Sequence, residues 1–180
     1  MNLDDQGIRD NRRYTVIPRT LCFVTSGHEV LLLRGAADKR LWAGRLNGVG
    51  GHVEPDEDPL SAALREVREE TGIMLERAEL RALVHVQGRP ERAEPGVLLF
   101  VCVAEAPQRA VCSGAEGVLG WYALGELLAP AGPAHDALVP DLPHLLPLIV
   151  GAGWRGALVY GHYATDERGE LTCRFDAQSL

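Results

Sequence analysis

The sequence predicts an α/β protein in which a mixed β-sheet packs between helices. Two observations support this class. Apolar runs of strand length recur between turn-forming residues, whereas one longer segment, residues 59–71, repeats its apolar residues at helical intervals. Strands are expected before and after this helix, and a second helix near the C-terminus, an order that fits a sheet covered on both faces.

The length of 180 residues is that of one domain with a substantial core. We expect an N-terminal extension over residues 1–18 and a single domain over residues 19–176. Two apolar runs open this domain, Arg19 to Thr25 and Glu29 to Arg34, and a Ser-Gly-His turn between them predicts a β-hairpin. The polar segment from Gly35 to Gly44 predicts a loop.

The helix over residues 59–71 has well-marked ends. Asp58 can cap its first N–H groups, Pro59 suits its first turn, and Gly72 suits its end. The apolar face expected to meet the sheet consists of four residues at helical spacing: Leu60, Ala63, Leu64 and Val67.

The second half of the chain predicts three further strands: Leu80 to Val86, Val97 to Ala104 and Val118 to Tyr122. A short helical turn is expected at Leu124 to Leu128, and a loop at Ala129 to Pro140, which is rich in Pro, Ala and Gly. Leu142 to Val150 predicts a helix. A closing hairpin is expected at Ala157 to Ala164 and Leu171 to Phe175.

The composition limits the functional classes. A net charge of −7 argues against broad binding to nucleic acids or anionic membranes, and no apolar run is long enough to span a membrane. We therefore expect a soluble cytoplasmic protein, a monomer or homodimer. The four cysteines are far apart, which predicts small buried thiols in a reducing compartment: Cys22, Cys102, Cys112 and Cys173.

Carboxylates are concentrated on one face of the predicted helix. Glu66 lies three residues before Glu69 and four before Glu70, so their side chains converge. Arg65 precedes Glu69 by four residues and can orient that carboxylate through paired N–H donors. Such a face could be only a solvated surface. A cluster of carboxylates also suits a hard divalent cation, and Mg²⁺ is the first candidate.

The block from Gly51 to Ile73 resembles the signature of the Nudix hydrolases, Gly-x5-Glu-x7-Arg-Glu-(aliphatic)-x-Glu-Glu-x-Gly-(aliphatic), and matches it at every specified position. The resemblance implies a Nudix α/β/α sandwich with a mixed sheet. It also implies hydrolysis, dependent on Mg²⁺ or on Mn²⁺ in its place, of a nucleoside diphosphate linked to another group.

Carried onto this chain, the resemblance implies roles for individual residues. Glu66 and Glu70 ligate the metal with the Gly50 carbonyl, and Glu69, held by Arg65, supports the metal shell. The general base is Glu66 or Glu69. Glu57 orients the loop and the helix. Glu116 lies five residues before Trp121 and completes the metal site from a loop; the alternative is that it is an ordinary surface carboxylate.

The substrate must be predicted from other segments. The stretch from Trp42 to Val53 resembles the 8-oxo-dGTP diphosphatases of the MutT type. In those enzymes the residue that matches Asn47 lies in the base pocket. The alternative is that Asn47 supports a turn. Asp141 matches the first of two base-reading aspartates in animal sanitising enzymes, whereas Leu142 replaces the second. The alternative is that Asp141 is the N-cap of a helix.

Two cations border the loop that leads to the site. Arg34 and Lys39 are candidates for gripping the phosphate tail, or are plain surface charges. The leading functional hypothesis is a pyrophosphohydrolase of purine nucleoside triphosphates, oxidised ones included, that releases a monophosphate and pyrophosphate. Dinucleoside polyphosphates, ADP-ribose and nucleotide sugars are alternative substrates. A different class is a non-catalytic domain that senses a nucleotide.

Overall fold

The computed structural model describes residues 13–38, 42–89, 94–114, 116–130, 132–151, 154, 156–165 and 171–178. Within these residues the chain forms eight strands: β1 (Val16–Ser26), β2 (Glu29–Gly35), β3 (Leu46–Asn47), β4 (Glu79–Val86), β5 (Gly96–Glu105), β6 (Gly117–Ala123), β7 (Leu158–Thr165) and β8 (Leu171–Gln178). It also forms four helices: α1 (Pro59–Thr71), α2 (Leu124–Leu128), α3 (Pro133–Asp136) and α4 (Leu142–Ile149).

All eight strands join one sheet in the order β3-β2-β1-β5-β4-β7-β8, and β6 pairs with β2. β1 runs parallel to β5 and β4 parallel to β7, whereas the other pairs are antiparallel. The mixed sheet predicted from the sequence is therefore confirmed. The predicted loop over residues 129–140 was wrong in part, because Pro133 begins the short helix α3.

The sheet carries a separate apolar core on each face. One core lies under α4. It includes Phe23 of β1 and Val101 of β5. The other lies under α1 and includes Val24 and Cys102. Alternate residues of β1 and β5 thus point to opposite faces, and the sheet is packed between helices.

The buried face of α1 includes the predicted Ala63 and Val67 but differs from the prediction at its two leucines. Leu60 is 39% exposed, and Leu64 is only partly buried. The residues that face the sheet are smaller: Ala62, Ala63, Val67 and Thr71. Small side chains let the helix lie close to β1, and the Thr71 hydroxyl is satisfied because it donates to the Val67 carbonyl over 2.6 Å and accepts from the Ile73 N–H over 3.0 Å.

The four cysteines are all free thiols. Cys22 and Cys102 are buried partners on β1 and β5, and burial raises the pKa of Cys102 to about 11. The prediction of buried thiols was wrong for Cys112, which is exposed, and holds only in part for Cys173, which is partly buried.

We expect Leu146→Ala to lower the free energy of unfolding by about 2–5 kcal/mol, because Leu146 of α4 is fully buried and its removal leaves a cavity. Leu60→Ala is the matched control, and its effect should be within about 0.5 kcal/mol since Leu60 is exposed. Urea denaturation of the two variants measures both values. Equal destabilisation would contradict the assignment of α4 to the core.

Candidate active site

The acidic helix α1 begins and ends at the predicted residues. The Asp58 carboxylate accepts hydrogen bonds from the Leu60 N–H over 2.8 Å and the Ser61 N–H over 3.1 Å. At the other end Gly72 takes a left-handed conformation, with φ of 76°, and its N–H donates to the Arg68 carbonyl. These two caps fix the helical register that brings the carboxylates together.

Arg65 is the centre of the site. Its Nε donates to Glu57 Oε2 over 3.1 Å and its Nη2 to Glu57 Oε1 over 2.7 Å, a paired contact. Its Nη1 donates to Glu66 Oε1 over 2.9 Å and to Glu69 Oε2 over 3.0 Å. Nη2 also reaches the His52 carbonyl over 3.1 Å. One guanidinium therefore orients three carboxylates and the loop before the helix.

The predicted contact between Arg65 and Glu69 is confirmed, but the prediction that the paired donors of Arg65 face Glu69 was wrong. Glu57 receives the pair, and Glu69 receives a single N–H. The reason is that the loop before α1 folds back along the helix and brings Glu57 beside Arg65. The Glu57 Oε1 atom also accepts the Glu54 N–H over 2.9 Å. These contacts hold the pKa of Glu57 below its usual range, the Arg65 hydrogen bonds being the main cause.

Two glycines let the loop lie against both β1 and the helix. The Gly51 carbonyl accepts the Thr20 N–H over 2.9 Å, and Val49 exchanges backbone hydrogen bonds with Cys22. A Cβ atom at Gly51 would overlap the Glu66 carboxylate, and one at Gly50 would overlap the Thr20 carbonyl. The Glu66 carboxylate is thus packed directly onto the loop.

The residues present fit a hard divalent cation. The Glu66 side chain is 14% exposed and Oε2 of Glu70, one turn further along α1, is buried. Within the described residues, no group of three or more His, Cys, Asp or Glu side chains is arranged to hold a metal ion. Mg²⁺ does not need so many side chains, because it is usually held by one or two carboxylates and keeps waters and substrate oxygens in its other positions.

Glu116 lies on the turn that leads into β6. Its carbonyl accepts the Ala36 N–H over 3.2 Å, and its side chain is exposed. This places Glu116 beside the end of β2. Its assignment as a metal ligand stays a prediction.

The segments that carry Asn47 and Asp141 lie side by side. Leu46 donates its N–H to the Ala137 carbonyl over 2.8 Å and accepts the Val139 N–H over 3.0 Å. β3 therefore runs along the chain just before α4. The oxygen of the Asn47 side chain accepts the Gly48 N–H over 2.9 Å, but Asn47 ends strand β3 and no turn follows it, so the alternative turn role was wrong. The amide N–H donors of Asn47 are not used within the described residues.

Asp141 directly precedes α4, at the N-cap position, but its side chain does not cap the helix, so the alternative capping role was wrong. The residue is only 9% exposed. Burial raises the pKa of Asp141, and the nearby Tyr163 hydroxyl and His144 lower it. The base-reading role of Asp141 stays a prediction. The sequence could not indicate the influence of Tyr163 on the Asp141 pKa, because no local pattern connects β7 with the start of α4.

The two candidate phosphate-binding cations have different outcomes. Arg34 on β2 donates from Nη1 to the Gly44 carbonyl over 2.9 Å and thus holds the two ends of the predicted loop together. Lys39 lies outside the described residues. The phosphate role of both remains a prediction.

Comparison with known proteins identifies the family. The model of the NUDIX domain matches residues 16–142, most of the chain. The chain belongs to the Nudix family. As the motif predicted, it is a Nudix hydrolase that acts on pyrophosphate bonds, and Nudix hydrolases use divalent metals and small nucleotide substrates.

Solved structures agree with this Nudix assignment. A mutator MutT protein from Bacillus halodurans is 25% identical with a TM-score of 0.67, covering 89% of this chain and 98% of its own. A MutT protein from Methanosarcina mazei Go1 is 26% identical with a TM-score of 0.55, covering 69% of this chain and 90% of its own. The NUDIX domain of Shewanella oneidensis NrtR, solved with ADP ribose, shares the fold at 18% identity and a TM-score of 0.60, covering 81% and 95%.

No helix within the described part of this Nudix chain has the length and apolar character needed to cross a membrane.

Proposed function

We propose that this Nudix hydrolase is a Mg²⁺-dependent pyrophosphohydrolase of purine nucleoside triphosphates, oxidised ones included, and that it releases a monophosphate and pyrophosphate. The observation that carries the proposal is the Glu66 carboxylate, which Arg65 holds at 2.9 Å and Gly51 contacts directly. This carboxylate is pre-oriented beside a backbone loop and would hold the divalent cation that neutralises the phosphate chain.

The reaction adds water across a phosphoric anhydride bond. The water oxygen bonds to phosphorus, the bond to the bridging oxygen breaks, and the diphosphate part leaves. Bound Mg²⁺ supplies charge neutralisation and lowers the pKa of water. We assign its protein ligands to Glu66, Glu70 and the Gly50 carbonyl, with Glu116 as a further ligand from its loop.

Glu66 or Glu69 takes the proton of the attacking water. Both are in contact with Arg65, so their orientation is set before substrate binds. Glu69 is the more accessible of the two, with 50% of its side chain exposed against 14% for Glu66. Glu57 contributes indirectly, because it anchors the guanidinium that holds both.

Base recognition is assigned to the neighbouring β3 and α4 segments. The unused amide N–H donors of Asn47 can bind an acceptor on the base, and the buried Asp141 carboxyl can bind a second atom of the same edge. Arg34 and Lys39 are assigned to the phosphate tail. Since one Nη of Arg34 already donates to the Gly44 carbonyl, its phosphate contact would use the remaining N–H donors of the guanidinium.

The test is a panel of substrates with product identification. The purified protein is incubated with Mg²⁺ and 8-oxo-dGTP, dGTP, dATP, dCTP, diadenosine polyphosphates, ADP-ribose and a nucleotide sugar. We expect monophosphate and pyrophosphate from the purine triphosphates, with much slower turnover of dCTP. Preferential cleavage of ADP-ribose or of a dinucleoside polyphosphate would replace the proposed substrate. Binding of a nucleotide without any cleavage would favour a sensor instead.

A further inference from the structure

Three side chains that can carry positive charge lie in one row across the far half of the sheet. His85 of β4 pairs in register with His162 of β7, and His162 pairs with Arg174 of β8. Side chains of residues directly opposite each other on neighbouring strands share one face and lie about 5 Å apart. The rings of His85 and His162 agree with this, since their centroids are 5.3 Å apart. We call these three residues the basic row.

The basic row lies on the sheet face that α1 covers only in part. Val84 of β4, Tyr163 of β7 and Cys173 of β8 point into the core under α4, so their neighbours in the row point to the opposite face. In the core under α1, the buried strand residues come from β1, β2, β5 and β6 and, within the described residues, from none of the three strands of the row. The two imidazoles are half-buried and the guanidinium is exposed, so a ligand can reach all three.

Tyr14, just before β1, holds the first imidazole of the row. Its hydroxyl lies 2.9 Å from Nε2 of His85 and accepts the Gly88 N–H over 2.9 Å. The rings of Tyr14 and His85 also meet edge to face, with centroids 5.5 Å apart. Because Nε2 is engaged, Nδ1 is the nitrogen of His85 that remains for a ligand. The orientation of this imidazole is thus set by the fold.

The charges of the row are not neutralised by a carboxylate within the described residues. There, neither the His162 ring nor the Arg174 guanidinium makes a hydrogen bond or an ion pair. Asp176 is two residues beyond Arg174 on the same face of β8, but it forms no ion pair with it. The other titratable side chains beside the row on this face are Tyr14 and Tyr160. A ligand of the row therefore meets three potential cations and one more distant carboxylate.

The guanidinium decides which kind of ligand suits the row. Two neighbouring imidazoles alone would also suit a transition metal, but Arg174 beside them repels a metal cation and favours an anion. Like charges directly opposite each other destabilise a sheet, so protonation of both imidazoles is unfavourable unless an anion lies against them. Burial and the nearby His162 both lower the pKa of His85, burial being the larger cause, and an anion would oppose this shift.

The basic row is separate from the carboxylates assigned to the metal. His85 pairs with Leu98 of β5, and Leu98 pairs with Pro18 of β1. The Pro18 carbonyl then accepts the Val53 N–H over 3.2 Å, in the loop before α1. Three steps of about 4.8 Å between neighbouring strands place this loop roughly 14 Å from His85. Two uncharged positions, Leu98 and Pro18, lie between the row and the loop.

We propose that the basic row is a second anion site, which binds the dianion of a phosphate or of a phosphate monoester between the two imidazoles and the Arg174 guanidinium. The guanidinium offers paired N–H donors that match two phosphate oxygens, and each protonated imidazole adds one more donor. Binding of the dianion takes up protons on the imidazoles, so the affinity rises as the pH falls. This inference is independent of the proposed function, because it uses no residue of the metal or base sites.

Sulfate titrations followed by NMR of the histidine rings test the proposal, since sulfate stays a dianion from pH 5.5 to pH 8. The full chain is used with EDTA, without Mg²⁺, and with chloride to keep the ionic strength constant. We expect saturable shifts of the His85 and His162 signals and none of His28, an exposed histidine in the β1–β2 turn. The Kd for sulfate should be at least about tenfold lower at pH 5.5 than at pH 8, the order expected for one hydrogen bond to a charged group.

Competition at pH 7 distinguishes the two sources of a phosphate dianion. Displacement of sulfate by both inorganic phosphate and dGMP shows a site for phosphate monoesters, and displacement by inorganic phosphate alone shows a site for the free anion. Displacement by neither overturns the proposal. So does the absence of saturable shifts at the two histidines of the row.

Arg174→Gln is the decisive variant, because the side chain is exposed and its loss should leave the fold intact. It should raise the Kd for sulfate at least about tenfold, and His162→Asn should do the same and weaken the pH dependence. Arg77→Gln and His28→Asn are the matched controls; both residues are exposed and outside the row, and both variants should keep the wild-type Kd.

A thermal melt shows whether each variant folds. If His162→Asn does not fold, Arg174→Gln and its control Arg77→Gln decide the matter. An unchanged Kd in folded Arg174→Gln, or an equal rise in Arg77→Gln, overturns the proposal, because overall charge and not the row would then hold the anion.

Discussion

Glu70→Gln should lower kcat for nucleoside triphosphate hydrolysis by at least about 100-fold while the protein stays folded. The substitution keeps the shape of the side chain and removes one negative charge from the proposed metal ligands. Glu70 lies one turn beyond Glu66 on α1, and its Oε2 is buried. No buried apolar contact is lost, so the thermal midpoint should change little.

The measurement is steady-state turnover over a range of Mg²⁺ concentrations, with circular dichroism as the folding check. A higher Mg²⁺ concentration should recover part of the activity, because a metal site with lower affinity needs more Mg²⁺ to become occupied. Glu126→Gln is the control; Glu126 is an exposed carboxylate on α2 and its loss should leave turnover unchanged. Near-wild-type turnover of a folded Glu70→Gln protein would show that the carboxylate has another role.

Arg65→Lys should reduce kcat/KM by about 10–100-fold, the range found when groups that orient metal ligands are removed. A lysine keeps the positive charge but cannot copy the planar set of donors that reaches Glu57, Glu66 and Glu69 together. The carboxylates should then lose their fixed orientation, and the Mg²⁺ concentration for half-maximal activity should rise.

Arg68→Lys is the matched control on the same helix. Arg68 is 55% exposed and lies 4.0 Å from Glu69, so its replacement should leave both kcat/KM and metal dependence unchanged. If the two variants lose activity equally, charge on α1 matters and the geometry around Arg65 does not.

The acid stability of Arg65→Lys should also differ. The Arg65 contacts depress the pKa of Glu57, so their stabilisation is present above the ordinary value of 4.5 and is lost as pH falls through the lower folded value. The wild-type advantage over Arg65→Lys should therefore be full above about pH 5 and shrink in more acidic buffer. Thermal melts from pH 3 to pH 7 measure it.

The helix α1 was predictable because its signals are local. The Asp58 cap, the Pro59 start and the Gly72 end act within one turn of the backbone, and the structure places the helix between the predicted residues. Most strands were predictable for the same reason, because each is a run of apolar or alternating residues bounded by turn-forming residues. The buried stripe of α1 was less predictable, since how closely Ala62 and Ala63 approach the sheet depends on β1.

The sequence by itself determined the family, the reaction class and the helix that carries the carboxylates, because these depend on residues at short, fixed spacings. Only the tertiary structure decided that Arg65 pairs with Glu57, that Glu66 rests on Gly51, and that β3 runs beside the segment before α4. These contacts join segments that no local pattern connects, and sheet pairing and loop folding bring them together.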